Sequence, residues 1–188
     1  MAEGRFKQLT VADLDAEQKP LAEKILGVSS LGIGGPYNPL LRSPALGQIY
    51  FDLFKYLRWN SALPMRLSEL AILIIGRQWR SQIEWVAHEP IALKEGVSKS
   101  IIDDLRKKRR PAVMQEDEAA LYDFVTELFT NHKVSDATFA KARKVFSEKQ
   151  LVDLTVISGT YVTVAALISM AEQPVPEGKK PAFGPEDP

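Results

Sequence analysis

The sequence predicts an all-α protein, a helical bundle, because apolar residues recur at helical spacing and strand-like alternation is hardly seen. Glycine and proline gather in three places that separate the helical segments: Gly27–Pro44, the surroundings of Pro111, and the tail Pro174–Pro188. The pattern indicates one domain over residues 1–188. A segment of about 1–15 and the tail are expected to be peripheral to its core.

The first half of the chain predicts three helices and one long loop. The helices cover about Ala16–Leu26, Pro44–Leu57 and Met65–Arg80. The second helix brings five apolar residues to one face: Leu46, Ile49, Tyr50, Leu53 and Phe54. The third contains the run LAILII, so most of its circumference is expected to be buried. The loop LGIGGPYNPLLRSPALG is too long for a plain connector, and loops of that kind often carry function.

The middle of the chain predicts two helices whose ends are marked by their capping residues. A helix over about Ser81–Glu95 ends at Gly96, which suits the left-handed position after a helix. Ser98 then caps a short helix over about Ser100–Lys107.

The last third predicts helices over about Asp117–Thr130 and Ser135–Val145, followed by a long final helix. Ser147 and Gln150 form a capping box that marks where the final helix starts. The tail PVPEGKKPAFGPEDP is unable to continue it, and is expected either to lie extended on a neighbour or to be disordered.

Composition narrows the classes of function. The chain has 24 basic and 24 acidic residues, so no positive excess attracts a nucleic acid or an anionic membrane. Cysteine is absent, which excludes disulfides, thiol nucleophiles and cysteine-ligated metals. The N-terminal residues lack the apolar stretch of a secretory signal, and the apolar segment Leu151–Ala171 is interrupted by polar residues, as a buried helix is. We therefore expect a cytoplasmic protein with neither nucleic-acid nor membrane partners.

Three titratable residues are the candidate catalytic group: Glu69, Glu84 and His88. Glu84 and His88 lie four residues apart, on one face of a predicted helix. Glu69 lies at the start of the preceding apolar helix, and antiparallel packing of the two helices would bring it close to His88. Two carboxyl groups and an imidazole in one pocket shift one another's proton affinity, which is the usual equipment for proton transfer at neutral pH.

Other interpretations of these residues remain open. Glu84 and His88 also fit an exposed ion pair, and Glu69 a carboxylate that the helix dipole favours. The same three side chains form a possible ligand set for zinc or iron, but the sequence has no H-E-x-x-H pattern, and we expect no metal and no cofactor. His132, the other histidine, is expected to be a solvated loop residue.

Three motifs surround this group: Arg66-Leu-Ser-Glu69-Leu-Ala, Glu84-Trp-Val-Ala-His88-Glu89, and Gly35-Pro-Tyr-Asn38-Pro before them. Together they resemble the carboxymuconolactone decarboxylase family of the alkylhydroperoxidase D-like superfamily, and the resemblance spans roughly Gly35 to Pro174. It implies an all-helical fold that assembles as homotrimers or homohexamers. It also favours the catalytic interpretation of Glu69, Glu84 and His88.

The superfamily has two chemical branches. The hydroperoxidase branch uses two cysteines, where this sequence has Ser81 and Glu84, so thiol peroxidase chemistry is excluded. The decarboxylase branch, with its Glu and His four residues apart, resembles the chain better. The resemblance implies a lyase that decarboxylates a small unsaturated lactone or a related acid. The alternatives are an isomerase or hydrolase of a small molecule on the same scaffold, and a non-catalytic oligomeric binding protein.

A decarboxylase of this kind needs an acid, a hydrogen-bond donor to the developing oxyanion and a cation for the substrate carboxylate. We expect His88 to be the acid, oriented by Glu84 or Glu69. Arg42 is the candidate carboxylate clamp, with Arg66 and Arg77 as alternatives. The remaining candidate substrate contacts are Tyr37, Asn38, Ser81 and Trp85.

Overall fold

The computed structural model describes residues 4–29 and 31–184, and within these ranges all regular secondary structure is helical. A short 3-10 helix, Val11–Asp13, precedes the α-helices. In chain order the α-helices are α1 (Lys19–Leu26), α2 (Tyr37–Leu40), α3 (Pro44–Trp59), α4 (Met65–Gln78), α5 (Gln82–Lys94), α6 (Lys99–Arg106), α7 (Glu116–Asn131), α8 (Asp136–Val145) and α9 (Glu148–Met170). The predicted all-α fold is confirmed. The outermost parts of the two segments predicted to be peripheral, residues 1–3 and 185–188, lie outside the described residues, as does Ser30 in the long loop.

The capping predictions are confirmed. Gly96 adopts a φ of +99° directly after α5. The hydroxyl of Ser98 accepts the Ile101 amide at the start of α6. In the capping box of α9, Ser147 Oγ accepts the Gln150 amide at 3.2 Å, and Gln150 Oε1 accepts the Ser147 amide at 2.9 Å. Local side-chain chemistry therefore sets these helix ends.

The face that α3 buries differs from the predicted one. Leu46 and Ile49 are 48% and 67% exposed, whereas the buried residues of α3 are Gly47, Phe51, Phe54 and Leu57. Apolar residues lie most of the way round this helix, so spacing alone does not select its buried side. Packing against α1 selects it, since Leu21 of α1 approaches Gly47 so closely that a Cβ there would lie 2.6 Å from the leucine side chain.

The centre of the fold is α4, which is buried around nearly its whole circumference, as its apolar run predicts. It packs against α5, α6, α7 and α9. After α4 the chain reverses at Arg80, which adopts a φ of +53°, and α5 returns along α4. The reversal brings the start of α4 close to the second half of α5.

The final helix α9 is long and apolar enough to cross a membrane by length and composition, but 56% of its most apolar window is buried in the fold. It packs against α4 as a core helix. Core helices of soluble proteins pass the same length test, so this helix is weak support for a membrane span.

The tail folds back onto α5 of its own chain. Gln82 Oε1 accepts the amides of Ala182 and Phe183, and its Nε2 donates to the Phe183 carbonyl at 2.8 Å. The Phe183 ring is 3% exposed and packs edge-on against Trp85, with ring centroids 4.9 Å apart. The tail up to Gly184 is therefore anchored at the start of the helix that carries Glu84 and His88.

Candidate active site

A cavity of about 170 Å³ opens between α3, α5, α9 and the segment before α2. Most of its wall is apolar, and the aromatic and aliphatic side chains come from all three helices. Its polar and charged lining residues are Ser29, Tyr37, Lys55, Arg58, Glu84, His88 and Tyr161. A site for a small molecule has this composition, a few polar groups in an apolar surrounding.

Glu69 contacts two of the three basic side chains in the cavity wall, Arg58 and His88. Its side chain is fully buried, Oε1 accepts Arg58 Nη1 at 2.9 Å, and Oε2 lies 2.7 Å from His88 Nδ1. Burial by itself would raise the pKa of Glu69, but the hydrogen bond and charge of His88 and the charge of Arg58 outweigh it and lower that pKa below its ordinary value. Glu69 is therefore a buried carboxylate with a partner on each oxygen.

This arrangement orients His88. Because Glu69 is ionised, its Oε2 accepts a hydrogen bond from the Nδ1–H of His88, which leaves Nε2 as the ring nitrogen available to a molecule in the cavity. The His88 ring also meets Tyr161 edge-on, with centroids 5.0 Å apart and planes at 88°. His88 thus has one fixed orientation, and its Nε2 has no hydrogen-bond partner among the described residues, as a general acid or base requires.

Glu84 lines the same cavity, but its surroundings shift its pKa in the direction opposite to that of Glu69. Its side chain is 3% exposed, and neither carboxyl oxygen has a hydrogen-bond partner among the described residues. Burial raises its pKa to about 8, and the nearby Ser81 hydroxyl offsets this only in part. Glu84 is accordingly a neutral carboxylic acid at pH 7, whereas Glu69 is a carboxylate.

The predicted catalytic group does come together. Antiparallel packing of α4 and α5 brings Glu69 to His88, as the position of Glu69 in the sequence indicates. Of the two carboxyl groups proposed to orient His88, the one within hydrogen-bond distance is Glu69. Glu84 lines the cavity beside His88.

The long loop contributes one of its three candidate residues to the cavity. Tyr37 lines it. Asn38 is fully buried and outside the lining, and Oδ1 accepts Arg42 Nη1 at 2.7 Å. The Arg42 guanidinium also donates to the Lys7 carbonyl and stacks on Phe6, so it ties the N-terminal segment to α2 away from the cavity. Arg42 is therefore not the clamp for a substrate carboxylate in this cavity, because its hydrogen bonds to Asn38 and to the Lys7 carbonyl hold its guanidinium outside the lining.

Three further candidates also lie outside the lining. Arg66 forms ion pairs with Asp117 and Glu118 at the start of α7. Trp85 is fully buried on the other side of α5, where Nε1 donates to Glu89 Oε2 at 2.7 Å. Ser81 is the buried residue at the start of α5. The alternative Arg77 is 3% exposed and donates to the Arg106 carbonyl, again outside the lining.

Sequence reasoning missed the lysine, the arginine and the second tyrosine of the cavity wall. Lys55 and Arg58 lie on α3 at a spacing of three residues, and Tyr161 lies in the middle of α9. One signal was present, since Lys55 lies in the last turn of the helix predicted over about Pro44–Leu57 and Arg58 is the residue directly after it. Nothing in the sequence relates Arg58 or Tyr161 to Glu69, because only packing of α3 and α9 around α4 brings them together.

No group of three potential metal-ligating side chains is found in the part of the chain that the structure describes.

Neither a protein-family model nor a curated protein matches the chain. Solved structures do. An uncharacterized peroxidase-related protein from Ralstonia eutropha JMP134, with an alkylhydroperoxidase AhpD core, is 14% identical and has a TM-score of 0.77 over 94% of both chains. A protein of unknown function from Agrobacterium tumefaciens, provisionally grouped with the antioxidant defence protein AhpD, is 22% identical, with a TM-score of 0.65 over 72% of this chain and 93% of that one.

A third similar structure is a cysteine-to-alanine variant of the debrominase Bmp8 in complex with 2,3,4-tribromopyrrole. It is 16% identical, with a TM-score of 0.71 over 90% of both chains. All three structures align with most of this chain, and at sequence identities this low the similarity shows a shared fold and nothing more. The chain therefore shares the all-helical fold of these structures, the first of which is described as an alkylhydroperoxidase AhpD core.

Proposed function

We propose that the chain is an acid–base enzyme of the carboxymuconolactone decarboxylase type, a carboxy-lyase that acts on a small carboxylated unsaturated lactone or a related acid. The observation that carries the proposal is the contact of His88, which lines a cavity large enough for one ring, with the Glu69 carboxylate buried behind it. A cavity of about 150 Å³ is enough to hold benzene, so the volume suits one ring with a small substituent.

The reaction needs little from the protein. The carbon–carbon bond to the carboxylate breaks, carbon dioxide leaves, and the electron pair delocalises through the conjugated alkene onto the lactone carbonyl oxygen. Protonation on carbon then completes the reaction. The protein must hold the carboxylate where it leaves, stabilise the developing oxyanion and supply one proton.

His88 is the proposed proton donor. As an imidazolium it gives the Nε2 proton to the carbanion equivalent and takes another from water afterwards. Glu69 stabilises the imidazolium through Nδ1, and Arg58 supports the ionised state of Glu69.

Glu84 suits a negatively charged substrate because it is neutral. An ionised carboxylate in that position would repel the substrate, whereas the protonated acid is a hydrogen-bond donor to the developing oxyanion. The two carboxyl groups thus take separate roles because their surroundings move their pKa values in opposite directions.

The similar debrominase structure supports a single-ring ligand, since its bound tribromopyrrole is one small ring. That protein was crystallised with a cysteine replaced, and the present chain has no cysteine. The proposed reaction accordingly has no thiol step.

We also propose self-association, as homotrimers or homohexamers. This proposal is supported by apolar side chains that are exposed to solvent: Leu46 and Ile49 on α3, and Val152 on α9, which is 61% exposed. Large apolar side chains exposed on two helices are the kind of surface that a subunit contact would cover. Light scattering coupled to gel filtration measures the subunit number, and a monomer at micromolar concentration would contradict this part of the proposal.

The function is tested by following the ultraviolet absorbance of γ-carboxymuconolactone together with carbon dioxide release. We expect turnover by the wild type and its loss in His88→Asn. His132→Asn is the matched control, because His132 follows α7 with a φ of +56°, a conformation that asparagine tolerates. Equal turnover by His88→Asn and the control would remove the acid role. A decrease of the substrate's ultraviolet absorbance with no release of carbon dioxide would instead indicate an isomerase or hydrolase.

A further inference from the structure

We propose that Lys55 and Arg58 form the carboxylate subsite of the cavity, so that the site selects single-ring carboxylates over neutral rings of the same shape. The inference rests on the proposed function in taking this cavity as the substrate site. It assigns the role expected of Arg42 to two residues of α3.

The apolar part of the cavity fits one ring. Phe51 and Phe54 come from α3, Ile83 and Ile91 from α5, and Val164 from α9. These side chains surround a volume close to that of a cavity known to take up benzene. A larger polycyclic ligand would exceed it.

The two permanently charged side chains of the lining come from α3, the helix that also supplies Phe51 and Phe54. Lys55 and Arg58 are three residues apart on α3 and therefore neighbours on the helix surface. Lys55 is exposed, and it forms no ion pair within residues 4–29 and 31–184. Arg58 is 24% exposed, and its contacts with Glu69 and Tyr161 use only part of a fork that carries several N–H donors.

The balance of charge then favours an anion. Glu69 compensates Arg58, and Glu84 has no partner among the described residues to stabilise a negative charge. Lys55 thus adds a positive charge to the lining, and it forms no ion pair with a carboxylate of the described residues. The planar Arg58 fork matches the two oxygens of a carboxylate, and the Glu84 acid supplies a further donor inside the cavity.

Binding of benzoate and of its neutral analogue benzamide, measured by calorimetry on the full-length chain, tests the subsite without requiring turnover. We expect benzoate to bind about tenfold more tightly than benzamide, which corresponds to one good charged hydrogen bond. Lys55→Met is expected to weaken benzoate binding about three- to fivefold, as loss of a solvent-exposed charge pair does, and to leave benzamide binding unchanged.

Lys94→Met is the matched control, since Lys94 is an exposed lysine at the end of α5 and outside the cavity lining. Equal binding of the two rings, equal effects of the two lysine variants on benzoate, or no saturable binding of either ring would each overturn the subsite. Selective benzoate binding without turnover of the lactone would leave the subsite standing and refute the proposed function. Turnover of the lactone with a KM that Lys55→Met does not raise would support the proposed function and overturn the subsite.

Discussion

Replacing Glu84 by glutamine is expected to stabilise the protein by about 3 kcal/mol at pH 7 and to have little effect near pH 4.5. Burial raises the pKa of Glu84 from its ordinary 4.5 to about 8. Between these two values the folded protein keeps the proton and the unfolded chain releases it, so the unfolded state binds fewer protons. The sign of the linkage is therefore a loss of stability as the pH rises from 4.5 towards 8.

The magnitude follows from the width of that interval. Each pH unit costs about 1.4 kcal/mol, so the two and a half units from 4.5 to pH 7 cost about 3 kcal/mol. Glutamine has nearly the same shape, stays neutral and removes this dependence. At pH 4.5, where the wild-type carboxyl is protonated in the folded state and half protonated in the unfolded chain, the two proteins differ mainly by hydrogen bonding.

The assay is urea unfolding followed by circular dichroism at a fixed protein concentration, for wild type and Glu84→Gln between pH 4.5 and 8. The difference between the two free energies of unfolding isolates this residue from other groups that titrate. Glu95→Gln, at an exposed position just after α5, is the control and is expected to follow the wild type. A difference that stays flat over this range would show that Glu84 ionises normally in the fold, and would refute the neutral-acid argument.

Four further outcomes are expected. The kcat/KM for a carboxylate substrate falls above about pH 8 in the wild type, as Glu84 ionises, and a profile unchanged in Glu84→Gln would contradict this. Glu69→Gln lowers the free energy of unfolding by about 2 to 3 kcal/mol in urea titrations, because two partners lose their buried carboxylate. Phe183→Ala costs about 2 to 3 kcal/mol, whereas Phe139→Ala, at a 47% exposed position, changes stability by less than about 0.5 kcal/mol. Ser147→Ala costs about 1 kcal/mol by removing the cap of α9, and a thermal midpoint equal to that of the wild type would contradict it.

Local sequence signals located most of the helices and half of the candidate site. The caps at Ser98 and Ser147 each join residues three apart in the sequence, so their hydrogen bonds can be predicted from the local sequence. The spacing of Glu84 and His88 likewise places both on the cavity side of α5. The proximity of Glu69 depended on one assumption about packing, the antiparallel arrangement of α4 and α5, which the short turn between the helices favours.

The substrate-binding residues were harder to predict because charge chemistry alone does not say where a side chain points. Arg42 has the right chemistry for a carboxylate, but its guanidinium is held by Asn38 and by the Lys7 carbonyl. Arg58 has the same chemistry and lies in the cavity wall, where it reaches Glu69 from a different helix.

The sequence by itself determined the all-α fold, the ends of several helices, the absence of thiol chemistry and the position of Glu84 and His88 on the same face of one helix. These properties depend on composition or on residues within one helical turn of each other. Only the tertiary structure decided which face of α3 is buried, which arginine meets Glu69, and that one glutamate is ionised while the other is neutral. Those properties depend on burial and on contacts between α3, α4, α5 and α9, because desolvation and ion pairing act through space and leave no periodic signal along the chain.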